Sequence, residues 1–400
     1  MKIKSRIILW LLIVVTSATL ITLNCSSRTK LSQISSHHYP LLPDTRVNNV
    51  ILFIGDGMGL SQITVGRLHA HGTSDRLNLE KMPVTGYLYT HSIDNLITDS
   101  AAGATALAAG FKTKNGMIAM LPDGSAVQTI LEKFRERGSG TGVVVTCSVT
   151  HATPACFAAH TESRRNETQI AEQLIQSGID VLLGGGKHFF IPQTDSASRR
   201  KDNKNLIDEA IRQGYQLVET GEQLQQVQQP RVLGLFQLDA LRHAPSEPSL
   251  AEMTRKAIEL LQQNRNGFFL MVEGSQIDWG GHANDLDYVI REVLSFDEAV
   301  KVGLDFALKD RHTLVLVTAD HETGGLAING GSFDGKELEV GWTTKHHTGV
   351  PVPVFAFGPH SLQFMGVHDN TEIPRMVANT IGMKDFPEKR AATNQPLAHP

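Results

Sequence analysis

The stretch VILFIGDGMG, Val50 to Gly59, opens with five apolar residues in succession and runs directly into a glycine-flanked acid, Asp56. An uninterrupted apolar run of this length, bounded by glycine, reads as a strand covered on both faces. The same pattern recurs at Val143 (VVVT), Val181 (VLL), Phe268 (FFLMV), Leu314 (LVLVT) and Val354 (VFAF). Between these runs lie longer stretches of helical period, Val127 to Arg137, Glu167 to Gln176 and Ser249 to Gln263. The alternation predicts an α/β fold, a three-layer αβα sandwich around a central, mostly parallel sheet.

The 400 residues are 41% apolar and 20% charged, with 35 Gly and 16 Pro, which excludes collagen-like and low-complexity classes. A formal charge of −4 offers no general attraction to nucleic acid, and no nucleic-acid groove is expected. Three cysteines, Cys25, Cys147 and Cys156, are too few for a disulfide scaffold and lack zinc-finger spacing, so any metal must be held by His and carboxylates. Cys147 and Cys156 read as buried free thiols with no part in ligation.

Residues 1–24 differ in kind. Lys2, Lys4 and Arg6 precede an uncharged apolar run from Ile7 to Leu23, the pattern of a signal peptide, so the chain is expected to be exported to the periplasm or cell envelope. Removal of the three charges takes the remainder from −4 to −7. Cys25 follows at once, where a lipoprotein precursor places its acylated cysteine; acylation there, ordinary cleavage nearby and an uncleaved anchor all fit. Residues 25–48 read as a polar tether, 49–383 as one catalytic domain with a small Gly-rich insert near 329–344, and 384–400 as a tail. The polar stretch 194–205 reads as a surface excursion.

Ligands of open parallel sheets bind beyond the carboxyl ends of the strands. There the sequence offers Asp56, then Thr153 after VVVTCSVTHA, then Glu273, then Asp320 and His321. One acid after a strand is ordinarily a helix cap or turn residue; four such strand ends together are not. Asp278 and His282 stand at i and i+4, on one face if the segment is helical, and His346 and His347 approach from elsewhere. Mixed His and carboxylate donors suit zinc, and oxygen-only donors suit a harder ion. In TDSAAGATALAAG, from Thr98, Ser100 is either an ordinary helix N-cap or a hydroxyl at a positive helix end that ionises beside a metal.

Six stretches in order, FIGDGMG (Phe53), TDSAAGATA (Thr98), HATPACFAAHTESR (His151), EGSQIDWGGH (Glu273), TADHETGG (Thr318) and HHTG (His346), resemble the metal-dependent alkaline phosphatases that use a serine nucleophile. The resemblance spans about Asn49 to Met383. It implies Ser100 as nucleophile and Arg164, next to Arg165 at a helix start, as bidentate holder of the phosphoryl oxygens. It implies one Zn2+ on Asp278, His282 and His347, a second on Asp56, Asp320 and His321, and a third ion, Mg2+, on Asp56, Thr153 and Glu273. Two positions depart from some members: His151 stands for an aspartate and Trp279 for a lysine. Imidazole at 151 removes negative charge near the third ion and opens that position to Zn2+ or Co2+.

The implied function is hydrolysis of phosphate monoesters through phosphoserine, with little discrimination of the alcohol. A phosphodiesterase or sulfatase on the same architecture is the rival enzyme, and a catalytically silent lipid-anchored binding protein the rival from another class. A homodimer is compatible with the sequence, which fixes no oligomeric state.

Overall fold

The computed structural model describes residues 38–389. The expected signal peptide, Cys25, most of the tether and the end of the tail lie outside these residues.

The chain forms strands β1 (Asn49–Gly55), β2 (Val84–Tyr89), β3 (Gly140–Ser148), β4 (Val181–Gly185), β5 (Gln216–Val218), β6 (Val232–Leu235), β7 (Phe268–Gly274) and β8 (Thr313–Thr318). After them come β9 (Glu322–Thr323), β10 (Leu326–Gly331), β11 (Leu338–Trp342), β12 (His347–Thr348), β13 (Val352–Phe357) and β14 (Gly366–Asp369). Ten strands make one sheet in the order β14-β2-β13-β8-β1-β7-β3-β4-β6-β5. Its neighbours are parallel except where β13 meets β2 and β8, so β13 alone runs against the rest. All six apolar runs are strands, and β1, β3, β4, β7, β8 and β13 are buried along their whole length.

Helices cover both faces of this sheet and close a single large core that includes Phe53, Phe134, Phe268, Phe269 and Phe296. The expected helices form at Ile130–Glu136, Glu167–Ser177 and Leu250–Leu261. The first and third are closed by capping boxes on Thr129 and Ser249. The 25-residue helix Leu286–Asp310, which the apolar runs did not flag, packs its buried side against this core. The Gly-rich insert is the hairpin β10–β11, outside the main sheet. Segment 194–205 is largely exposed, as its composition suggests, apart from Arg200, which is buried and bridges Glu172 and Asp202. Among the described residues no helix is long and apolar enough to cross a membrane.

Candidate active site

Four consecutive strands of the sheet, β8, β1, β7 and β3, deliver the candidate ligands to one edge. β1 runs into Asp56, β7 carries Glu273, β8 is followed by Asp320 and His321, and β3 leads into the short helix Ala152–Ala155 with Thr153. Parallel register makes this convergence obligatory: Ile54 pairs with both Glu273 and Thr318, so the strand ends coincide.

Ser100 is the first residue of helix Ser100–Ala109, and Asp99, not Ser100, is its N-cap, accepting from the Ala102 N–H. Both residue types cap well; the Asp99 carboxylate takes the role and leaves the Ser100 hydroxyl free. Gly103 lets this helix lie against β8's extension, where a Cβ would stand 2.9 Å from the Asp320 carbonyl oxygen. That approach sets Ser100 Oγ 3.3 Å from His321 Nε2, which is itself 3.4 Å from Asp56 Oδ1 and 3.2 Å from Asp320 Oδ2. Gly57, at φ +69°, allows its N–H to donate to Asp320 Oδ1 at 3.2 Å.

The second cluster lies farther out. Helix Gln276–Ala283 presents Asp278 and His282 on one face, and β12 brings His347 against them. His282 Nδ1 meets the Lys345 carbonyl at 2.6 Å and His347 Nδ1 the Thr98 carbonyl at 2.8 Å. A carbonyl only accepts, so both rings donate from Nδ1, and in the neutral ring each Nε2 carries the lone pair. Those two Nε2 atoms face each other at 3.2 Å, with Asp278 oxygens 3.3 and 3.6 Å away. Two imidazole lone pairs and a carboxylate aimed at one point are complementary to a cation. His346 is exposed and takes no part in this cluster.

Arg164 lies in the loop before helix Glu167–Ser177, two residues ahead of its N-cap Asn166, rather than at a helix start. Its Nη1 pairs with Asp99 Oδ2 at 3.1 Å and its Nη2 approaches His151 Nε2 at 3.2 Å. Asp99 therefore joins the nucleophile's helix to the guanidinium, a role its capping position in the sequence did not reveal.

The inner groups are short of positive charge. Asp56 Oδ1 and Oδ2, Asp320 Oδ2, Glu273 Oε1 and Thr153 Oγ1 are buried and make no hydrogen bond among the described residues. Burial, reinforced by Asp278, pushes the Asp320 carboxyl up to about 8; burial is likewise the main cause that lifts Glu273 to about 7. Asp56 is raised well above the carboxylate range by burial and then by Asp320. Burial would also raise Asp278, but His282, His321 and His347 outweigh it and hold that carboxyl low, while Asp278 lifts His282 to about 8. Burial and then the Arg164 charge press His151 down to about 4. Buried carboxylates with idle lone pairs fit divalent cations, which would bring the raised values of Asp56, Asp320 and Glu273 back down.

Three donor groups have ligand atoms within 4.8 Å of one another: Asp278, His282 and His347; Asp56, Asp278 and His321; and Cys147, His151 and Glu273. Asp56, Glu273, Asp278, His282, His321 and His347 fall in these groups, Asp320 and Ser100 lie against His321, and His346 stands outside them. Sequence reasoning missed Thr323, whose hydroxyl bonds Asp278, and Ser275, which donates to Glu273 at 2.7 Å. Cys147 and Cys156 are buried free thiols, as read from the sequence, and the Cys147 thiol stands 3.5 Å from Glu273 Oε2.

The sequence model of the alkaline phosphatase family matches residues 47–339 and 335–383. Alkaline phosphatase 3 of Bacillus subtilis (strain 168) is 36% identical, covering 83% of this chain and 88% of its own. The solved alkaline phosphatase of the Antarctic bacterium TAB5 superposes with a TM-score of 0.78 at 36% identity, covering 85% of this chain and 100% of its own. A histidine-to-aspartate variant of that Antarctic protein, with Mg bound in its M3 site, matches at a TM-score of 0.76 and 35% identity, covering 86% and 99%.

Proposed function

Because the chain belongs to the alkaline phosphatase family and is a metal-dependent phosphomonoesterase, we propose that it works through a phosphoserine on Ser100. The carrying observation is the meeting, beside Ser100 Oγ, of unpartnered buried carboxylate oxygens with two opposed imidazole lone pairs. Asp278, His282 and His347 would hold one zinc, Asp56, Asp320 and His321 the other, and Asp56, Thr153 and Glu273 a third ion, magnesium or a softer cation, tuned by His151. The ions, when bound, supply Lewis acidity that neutralises charge on the attacking and leaving oxygens.

The chain's own groups do the positioning. Ser100 Oγ gives up its proton and attacks phosphorus in line, while the bond to the alcohol oxygen breaks and the alcohol takes a proton from solvent. Arg164, held by Asp99, offers two parallel N–H groups to the phosphoryl oxygens. Water then cleaves the serine ester, restoring the hydroxyl and releasing inorganic phosphate. Acid trapping of labelled phosphate on Ser100, together with metal content and the rates on a monoester, a diester and a sulfate ester, tests this reading. Label on another residue, or preference for the diester or sulfate, overturns it, and no turnover leaves the silent binding protein.

We propose also that the chain pairs with a second copy. Leu60, Tyr87, Tyr89, Val350 and Val367 are exposed and line one surface cavity of about 730 Å3. An apolar grouping of this kind suits burial against a partner, and a sedimentation mass equal to the single chain rejects the pairing. Export and acylation at Cys25 complete the proposal on the strength of the sequence, and the mass of the mature N-terminus decides them.

A further inference from the structure

Cys147 is the penultimate residue of β3, beside the end of β7 and at the rim of the third ion's proposed position. Its Sγ lies 3.5 Å from Glu273 Oε2 and 3.2 Å from the Ser148 carbonyl. A His151 ring nitrogen and a Glu273 oxygen lie with it inside a 4.8 Å group. Glu273 has lone pairs to spare, and His151 can offer one by tautomer exchange. Arg164 Nη2 only donates, so His151 Nε2 accepts from it and the ring proton sits on Nδ1, which is buried without a hydrogen bond among the described residues; ligation through Nδ1 requires that proton to move to Nε2 as Arg164 turns away. Glu273 is fully buried; its Oε2 accepts from Ser275, and its Oε1 has no partner among the described residues.

We propose that Cys147 is a metal ligand, forming with His151 and Glu273 a sulfur–nitrogen–oxygen site for zinc or cobalt(II) that overlaps the oxygen-rich position of Asp56, Thr153 and Glu273. This rests on the reading of the third position as a metal site, and it adds a donor that reading does not contain. Bond lengths of about 2.3 Å to sulfur and about 2.0–2.2 Å to nitrogen and oxygen require the three donor atoms to draw together by roughly an ångström or less. Thiolate and imidazole favour borderline transition ions, whereas magnesium keeps to oxygen. Glu273 belongs to both donor sets, so the identity of the ion decides which set closes. Binding replaces the thiol proton: the S–H bond breaks, its electron pair goes to the cation, the proton passes to solvent, and no oxidation state changes.

The test uses the purified chain stripped of metal and titrated with cobalt(II), following ion content and near-ultraviolet absorption. A thiolate-to-cobalt charge-transfer band should grow with the third equivalent, vanish in Cys147→Ser and Cys147→Ala, and persist in Cys156→Ala. Excess magnesium should bleach it while two cobalt ions stay bound. Three bound ions without the band, or a band that survives Cys147→Ser, overturns the sulfur ligand alone. Fewer than three bound ions overturns both the sulfur ligand and the third-site reading. Should the variants misfold, X-ray absorption of the zinc-loaded wild type decides the matter: a zinc–sulfur path near about 2.3 Å is expected, and its absence rejects Cys147.

Discussion

Asp297 and the pair Asp56 and Asp320 are all carboxylates sealed inside the same core, yet they are buried in opposite ways. Asp297, in helix Leu286–Asp310, accepts from the N–H groups of Asn78 and Leu79 at 2.9 Å and from the Asn78 side chain at 2.7 Å. Asp320 fills only Oδ1, from the N–H groups of Gly57 and His321, and Asp56 fills neither oxygen among the described residues. A buried acid whose lone pairs are used up is holding two segments together. One whose lone pairs are idle belongs to a site that something else completes.

The sharpest way to separate the two kinds is to leave both in place and remove the nucleophile. Ser100→Ala should lower monoester turnover by a factor on the order of a thousand or more, abolish acid-trapped phosphoserine, and leave metal content and melting temperature near wild type. Loss of bound metal in that variant would mean that Ser100 shapes the ligand cluster instead of doing chemistry.

Exchanging the acids comes next. Asp320→Asn should empty the inner position and remove most activity, yet the metal-free variant should melt no lower than metal-free wild type, since it relieves an uncompensated buried carboxyl. Asp297→Ala should do the reverse, keeping its metal and losing about 2–3 kcal/mol of stability because the N–H groups of Asn78 and Leu79 are left unsatisfied. Calorimetry with metal analysis on both variants checks the contrast; equal destabilisation would erase it.

Titration offers a finer cut. Burial pushes Asp297 up to about 6 in spite of its three donors. A carboxyl raised above its unfolded value of about 4 binds its proton more tightly when folded, so its contribution is greatest below pH 4 and declines as pH rises to 6, by about 2–3 kcal/mol, and is flat above. The difference in unfolding free energy between metal-loaded wild type and Asp297→Asn should carry this slope. A flat difference across that window would return Asp297 to an ordinary carboxylate.

The smallest effect concerns ion choice. His151→Asp should raise magnesium occupancy of the third position relative to zinc or cobalt severalfold while phosphoserine still forms, because a carboxylate offers the harder ion the oxygen it prefers. An unchanged magnesium response would show that His151 does not govern that position.

What could be read from the residues follows the same division. Strands buried on both faces announce themselves, as Val50–Ile54 and Leu314–Thr318 do, and their ends point to Asp56, Asp320 and His321. The outer strands do not: β2 alternates buried and exposed residues as an ordinary amphipathic strand does, and β5 is three residues long. The cap of the Ser100 helix was ambiguous because Asp99 and Ser100 are equally able, and only the pull of Ala102 and Gly116 N–H groups on Asp99 decides it. Segment 194–205 is a mostly exposed excursion and Cys147 a buried free thiol, as read, but the contacts of Arg200 and Cys147 were not legible for a common reason. Composition describes a segment's average, whereas Arg200 is fixed by Glu172 and Cys147 by Glu273, partners 28 and 126 residues away.

The placement of the two candidate metal clusters bears on how the molecule breathes. Asp56, Asp320 and His321 are anchored to β1 and β8, in the middle of the ten-stranded sheet, whose amides should exchange with deuterium only when the whole domain unfolds. The outer cluster hangs on an eight-residue helix and the two-residue bridge between β12 and β9. Amides there should exchange through small local openings. An ion held by the outer cluster should therefore exchange faster than one held by the inner cluster, whose ligands sit on the least mobile strands.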